Sequence, residues 1–450
     1  MLTQEINILL DTIRRLNRRN AQANLRKILE KTHPADLATI FRYLTEPERR
    51  EIFPLIVDKH LAAEMLSEMD DSLRVELIEQ LTREQVMELF SEMATDDLAD
   101  ILGLLPDDLS QEIVDLMEPE NTEELEAIMG YPEDTAGGIM IPEAFTLHED
   151  TTASRAIEIL QQSEDNEMVF YVYVVDDDNH LKGVCSLRQL LMVNPQKTLK
   201  EFMKVQVVSV LPETDQEEVA RLVGRYNVLA LPVVDEEDHL LGIVTVDDII
   251  DVIREEATED FLQMAGAGRD REILLKSTME ESKLRFPWLF ATWIGGILAS
   301  MVVGLYDNLI QEVTALAAFM PIIAGMGGNI GTQSATIVIR GMATGRVNIR
   351  EAWKVILKEI RVGFVLGIAY GAGLGVIGSF IYTSSGYLIG VVVGLGICIV
   401  MIMATLVGAI APILLERFQV DPAIATGPFV TTSIDVVGLL IYFSIALSLL

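Results

Sequence analysis

Five apolar stretches fill the last third of this chain, at about 287–306, 313–339, 362–382, 386–415 and 422–449. Each meets the roughly 20-residue length at which a helix crosses a hydrocarbon layer. Inside such a layer every backbone group must be satisfied within the segment, so the stretches are expected to be membrane-spanning helices. Asp435 is the one charged residue that falls within them, in Thr431-Thr432-Ser433-Ile434-Asp435-Val436-Val437-Gly438. A carboxylate at the bilayer centre costs roughly 2.5 kcal/mol or more, so it is kept where it faces a pore, a partner or an ion. No Lys, Arg or His accompanies it in the stretches. The expected partner is therefore a cation from outside the chain; the alternative is an acid held by the neighbouring hydroxyls.

Charge is divided sharply along the chain. The 450 residues carry a formal net charge of −34, yet from Phe286 onward there are 7 acids and 7 bases. The excess lies in residues 1–285, with 61 acids against 27 bases. Such a surface repels nucleic acid and anionic lipid and draws cations, so no nucleic-acid partner is expected. Apolar periodicity runs through the acidic part, which argues against disorder. Cys185 and Cys398 lie in different regions and suggest no disulfide framework. The start, Met1 to Glu5, lacks a basic segment followed by an apolar core, so no signal peptide is read and the acidic half is expected in the cytoplasm. Between Arg340 and Arg361 there are 6 Lys or Arg, whereas Tyr306–Glu312 and Tyr382–Tyr387 hold none. The positive-inside rule then predicts a multi-pass protein of the cytoplasmic membrane with its N-terminus cytoplasmic and its C-terminus outside.

Five regions are expected. Residues 1–130 read as helices only, with three- and four-residue spacing as in Leu61, Met65, Leu66 and Met69, and with returning phrases such as Asp36-Leu37-Ala38 and Asp97-Leu98-Ala99. This predicts an acidic all-α superhelix of stacked hairpins. Residues 138–200 and 201–256 are two copies of one α+β unit. Val174 to Val184 matches Val233 to Ile243, and Ile139-Met140-Ile141-Pro142 matches Phe202-Met203-Lys204-Val205. About four extra residues fall near 163–169 in the first copy. Such a pair resembles cystathionine-β-synthase-type (CBS) domains. Residues 257–285 are charged with helical spacing and are expected to form a connecting helix. Residues 286–450 are expected to be a five-helix transmembrane pore domain.

The second span carries Pro321, four glycines and Asn329, Thr332 and Gln333 at mid-membrane. Broken backbone lining a wet cavity is expected there; close packing through small residues is the other reading. In the fifth span Pro428 frees a carbonyl near hydroxyls, and Thr431 lies one turn from Asp435, with Thr432 beside it. The donors available to an ion are carboxylate, hydroxyl, amide and carbonyl oxygens, and all five histidines lie in the soluble part. This disfavours a zinc, copper or nickel pore and suits hydrated Mg²⁺, held by one carboxylate from each of two chains on an axis. The soluble acids form a second group: Asp215, Glu217 and Glu218 open one helix, Asp247, Asp248 and Asp251 another, and Glu255, Glu256, Glu259 and Asp260 stud the connector. Glu64, Asp96 and Asp100 add carboxylates from the helical region. Thr245-Val246-Asp247-Asp248 resembles the ribose-contacting Thr-x-x-Asp of nucleotide-binding CBS domains, through Thr245 and Asp248, whereas the first copy has Gln189 in place of the acid. There is no P-loop and no Ser/His/Asp or Cys/His grouping, so no enzyme is expected.

The order of regions, with Gly327-Gly328-Asn329-Ile330-Gly331-Thr332-Gln333-Ser334-Ala335-Thr336, Pro428 to Asp435 and Glu256-Ala257-Thr258-Glu259-Asp260, resembles the MgtE family of magnesium transporters. The resemblance implies a homodimeric Mg²⁺-selective channel in the lipid bilayer with Asp435 as its pore acid. It also implies regulatory Mg²⁺ sites involving Glu64, Asp96, Asp100, Asp215, Glu217, Asp248, Asp251, Glu256, Glu259 and Asp260, and leaves room for ATP or another adenine nucleotide at the CBS pair. Thr332 and Gly427 stand where asparagine is expected in a close relative. The expected function is passive Mg²⁺ uptake shut by cytosolic Mg²⁺. The alternatives are a proton- or Na⁺-coupled transporter of divalent cations and a membrane-anchored nucleotide sensor.

Overall fold

The computed structural model describes residues 2–117, 122, 125, 127–142, 144–162, 170–270, 272–273, 276–347, 351–382, 387–425 and 427–450. The extra residues expected near 163–169 lie outside this set. The chain forms two compact units, Met1–Arg254 and Glu255–Leu450.

The first unit begins with short helices, from Leu2–Arg18 through Pro34–Tyr43, Lys59–Ser67, Asp71–Ile78, Arg83–Phe90 and Thr95–Leu104 to Asp107–Val114. Their starts are set by the residues that satisfy free N–H groups. Asp58 accepts from Leu61, and Thr82 forms a reciprocal capping box with Gln85. Pro34–Tyr43 packs on Lys59–Ser67 and Asp71–Ile78 on Thr95–Leu104, as stacked hairpins require. Leu37, Phe41, Ile52, Met65, Leu66 and Ile101 make one continuous core.

The duplication is reproduced in a matching antiparallel hairpin in each copy. In the first copy β1 (Thr146–His148) runs parallel to β2 (Tyr171–Val175), which pairs antiparallel with β3 (Leu181–Ser186). In the second, β4 (Ala230–Val234) pairs antiparallel with β5 (Leu240–Thr245). Both hairpins carry a register shift at the matching place, Val174/Val175 and Val233/Val234. Both turn through a left-handed residue, Asn179 and Asp238, a conformation short polar side chains tolerate. The copies also exchange segments. Ile141 bonds to Ile243 of the second copy, and Lys204, its counterpart, bonds to Val184 of the first. Each copy therefore completes the other's sheet, and neither stretch of sequence is a self-contained sheet.

Among the described residues the second unit has five helices long and apolar enough to cross a membrane: Thr278–Leu305, Ala315–Ala343, Ala352–Ile381, Tyr387–Arg417 and Pro428–Leu449. They are the first to fifth membrane helices below. Residues 257–285 hold parts of two helices rather than one. Val246–Met264 ends before left-handed Gly266 and Gly268, and the first membrane helix starts anew at Thr278 under a Ser277/Glu280 capping box.

Two expectations about the spans are corrected. The second membrane helix is continuous from Ala315 to Ala343. Two of its glycines serve close packing: a Cβ on Gly331 would lie 2.1 Å from Ile434 Cδ1, and one on Gly327 2.9 Å from Ile434 Cγ2. Pro428 interrupts nothing, because it is the first residue of the fifth helix, where a missing N–H is tolerated. The third and fourth helices approach through Gly363, Gly367, Gly371 and Gly375, spaced four apart on one face. A Cβ on Gly371 would lie 2.5 Å from the Gly394 carbonyl oxygen, whereas one on Gly373 would meet nothing within 4 Å. Gly371→Leu is therefore expected to lower the melting temperature of the detergent-solubilised protein, by an overpacking penalty of about 1–3 kcal/mol. Gly373→Leu should leave it unchanged in the same thermal scan.

Candidate cation sites

The fifth membrane helix presents Thr431, Thr432 and Asp435 within its first two turns, all half-buried. Thr431 lies against Gly328 of the second helix and Thr432 against Gly295 of the first. Asp435 forms no hydrogen bond or ion pair with a described residue. On the second helix Asn329 and Gln333, one turn apart, are exposed and Thr332 is half-buried. These amides lie on a face that the chain's own helices leave uncovered. In hydrocarbon such a face needs water, an ion or another protein surface.

A second acid is buried in the same bundle. The third helix starts at Ala352, well before the apolar stretch near 362, and so carries Glu359, which is 4% exposed. Glu359 accepts a 2.7 Å hydrogen bond from Ser334 Oγ of the second helix. Reading hydropathy alone placed Glu359 in the basic loop. Its one available signal is the helical period that links it to Gly363, which abuts Thr405 of the fourth helix.

In the first unit, acids from the helical region and the second CBS copy converge. Burial raises Asp96 well above the usual carboxylate range, and Asp248, Asp97 and Asp100 add repulsion. One Asp96 carboxylate oxygen is buried without a hydrogen-bond partner. Burial also pushes Asp100 to about 7, opposed by Arg74 and reinforced by Asp97 and Glu133. Asp248 is pushed to about 6 by burial, although Thr245 donates to it. Asp97 is raised by burial with Asp247 and Asp251 nearby, and Glu68 by burial with Asp251 and Asp97. An orphaned oxygen among crowded carboxylates fits a bound cation. Glu64 is not drawn in; it is exposed and faces His60 at 3.6 Å. Asp215 and Glu217 are exposed at the start of Gln216–Tyr226, where Asp215 accepts from the Glu217 N–H. Thr245 and Asp248, expected as a ribose-binding pair, bond to each other, and Asp248 is shared with the acidic cluster.

A third acidic group lies in the second unit. Asp260 is pushed to about 6 by burial and then by Asp421, Glu256 and Glu259. Fully buried Gln263 donates to Glu259 at 2.9 Å and to Asp421 at 2.7 Å, and Arg269 pairs with both acids. Asp421 then accepts from the Ala423 N–H just ahead of the fifth helix, and Gly266 packs beside Pro428. The end of the Val246–Met264 helix is thus fastened to the start of the helix that carries Asp435. Glu68, Asp97 and Asp421 were missed as site residues because each reads as an ordinary helix-end or loop acid.

Comparison with known proteins identifies matches along most of the chain. The family model for the MgtE divalent cation transporter matches residues 320–445, that for the MgtE intracellular N domain matches 32–134, and the CBS domain matches 136–194 and 199–255. The chain is 40% identical over 433 residues to the magnesium transporter MgtE of Thermus thermophilus, covering 95% of each. It is 34% identical over 425 residues to that of Bacillus subtilis, covering 94% of this chain and 93% of the other. The cytosolic domain of the Mg²⁺ channel MgtE in complex with ATP superposes with a TM-score of 0.52 at 38% identity, over 54% of this chain and 99% of that one. The soluble part of a magnesium transporter gives 0.51 at 30% identity, over 56% and 99%.

The raised carboxylates fix a pH dependence. Folded values of about 7 for Asp100 and about 6 for Asp248 exceed the unfolded carboxylate value of 3.8, so the packed state holds protons that the unfolded state releases. The packed contact then loses stability as pH rises from that value to about 7. Mg²⁺ binding at pH 6–7 should release protons and tighten as pH rises. Calorimetry in buffers of different ionisation enthalpy measures this, and Asp100→Asn should reduce the release.

Proposed function

The chain belongs to the MgtE family of magnesium transporters, and from that premise we propose that it admits Mg²⁺ passively past Asp435 and is shut by Mg²⁺ on the cytoplasmic side. The observation that carries the permeation reading is Asp435 itself, half-buried in a membrane helix with no bonded partner among the described residues. One carboxylate per chain suits a hydrated Mg²⁺ when two chains meet on an axis, since this ion keeps several of its waters. A homodimer that buries the exposed Asn329 and Gln333 face would place Thr332, Thr431 and Thr432 along the same path. The N-terminus is proposed to be cytoplasmic and the C-terminus outside, by the charge bias of the loops.

Passive entry is sufficient. A divalent ion moving inward through about 100 mV gains roughly 4.6 kcal/mol, twice the single-charge value. At about 1.4 kcal/mol per tenfold, that supports a gradient above a thousandfold. Such a pathway needs a brake, and the acids supply it. Asp96, Asp100, Asp248 and Asp251 would hold Mg²⁺ in the first unit and Glu256, Glu259 and Asp260 in the second; Asp215, Glu217 and Glu64 are proposed as outer ligands. Bound Mg²⁺ supplies the positive charge that lets these carboxylates stay together. Bare, they repel and separate, and the Gln263–Asp421 and Gly266–Pro428 contacts pass that movement to the fifth helix. Shifting a two-state gate from 1:99 to 99:1 takes about 5.5 kcal/mol, which several weak sites can share. Thr245 and Asp248 are proposed to contact the ribose of an adenine nucleotide, which would compete with the acidic cluster for Asp248.

In liposomes under an inside-negative potential, Asp435→Ala should abolish Mg²⁺ influx. The triple variant Asp96→Asn, Asp100→Asn, Asp248→Asn should conduct and need severalfold more cytoplasmic Mg²⁺ for half-inhibition. Undiminished influx through Asp435→Ala would remove that residue from the path. Glu359 favours a second reading, coupling to a proton or Na⁺, because an acid buried among membrane helices is a natural relay group. Under that reading, collapsing either gradient at fixed potential stops wild-type influx; under the channel reading, influx persists.

A further inference from the structure

The internal duplication contains one difference that points to a separate metal site. In the first copy His180 Nδ1 lies 3.0 Å from Asp176, and the Lys182 ammonium sits 2.8 Å from the same carboxylate. In the second copy His239 Nδ1 lies 2.8 Å from Asp235. Position 241, which corresponds to Lys182, is leucine. The built-in cation of the first copy therefore has no counterpart in the second. There Glu237 joins instead: one donor atom each from Asp235, Glu237 and His239 lie within 4.8 Å of one another. The turn is held rigidly. Asp235 Oδ1 accepts from the Glu237 and His239 N–H groups, and the His180 and His239 rings stack with centroids 4.4 Å apart. Leu181 N–H to Asp238 and Leu240 N–H to Asn179 join the two turns, so the group lies on the seam between the copies.

We propose that Asp235, Glu237 and His239 bind a first-row transition-metal dication, of the Zn²⁺, Co²⁺ or Ni²⁺ class, at the place where Lys182 puts an ammonium in the other copy. The imidazole nitrogen and the carboxylate oxygen share a 2.8 Å hydrogen bond, and a dication would take the place of the proton between them, as metal ligation by neutral imidazole requires. The imidazole sets the class, because nitrogen with carboxylate favours these ions over Mg²⁺, which prefers oxygen throughout. The site is thus chemically distinct from the all-oxygen clusters, and it lies on a turn that neither cluster uses.

The test is Co²⁺ binding to the metal-stripped full chain in detergent, with millimolar Mg²⁺ present to fill the oxygen sites, read by visible absorption and equilibrium dialysis. One Co²⁺ per chain should be retained. His239→Gln should weaken retention by at least about tenfold, the lower end of what losing even a supporting group costs a metal site. Leu241→Lys removes no ligand and supplies the ammonium of the first copy; it should displace the ion to a similar degree, with both variants eluting like wild type on size exclusion. Absence of Mg²⁺-resistant Co²⁺ binding, or binding undiminished in either variant, would overturn the proposal.

Discussion

Mutual repulsion among partly buried carboxylates is the constraint on which this molecule turns. Two like charges about 5 Å apart at an effective dielectric of about 20 repel by roughly 3 kcal/mol. Asp96, Asp97, Asp100 and Asp248 are nonetheless packed together between the helical region and the second CBS copy, with one Asp96 oxygen unbonded. Their raised proton affinities are the same fact seen from the proton's side. An arrangement of this kind is stable only with protons or a cation. Asp260, Glu256, Glu259 and Asp421 repeat the device beside the fifth membrane helix, where Gln263 and Arg269 hold part of the cluster.

The membrane bundle solves a different problem. Its helices approach through glycine, so that carbonyl oxygens of one helix fill the space a side chain would take on the next, as at Gly371 and Gly408. This leaves the polar side chains of the second and fifth helices for other duties. Asn329, Gln333 and Asp435 do not hold the chain's own helices together, and a face of amides is poorly suited to lipid. Glu359 does hold two of the helices, through Ser334, and is the buried acid with a structural partner.

Much of this was legible in the sequence because it is periodic or repeated. The five spans follow from length and hydropathy, and the CBS pair from an internal match that extends to the shared register shift and the left-handed Asn179 and Asp238. Long-range packing was not legible. Glycines at mid-span suggested a broken helix, but a glycine that opens the backbone and one that admits a neighbour look alike until the neighbour is known; Ile434 settles the case for Gly327 and Gly331. Glu359 was hidden because the third helix runs past its apolar stretch. Among the soluble acids, local sequence did not distinguish Asp96, which is buried, from Glu64, which is exposed, since both are charged residues on amphipathic helices. The exchange of segments between CBS copies depends on pairings distant in sequence, such as Ile141 with Ile243.

The central claim is that the acidic contact in the first unit closes on Mg²⁺ and that this closure stops flux. Hydrogen–deuterium exchange of the Thr95–Leu104 helix in the full-length protein, followed across a Mg²⁺ titration alongside liposome influx, tests it most directly. Protection of that helix should rise over the Mg²⁺ range in which influx falls. Influx that falls while exchange of Thr95–Leu104 stays constant would contradict the account.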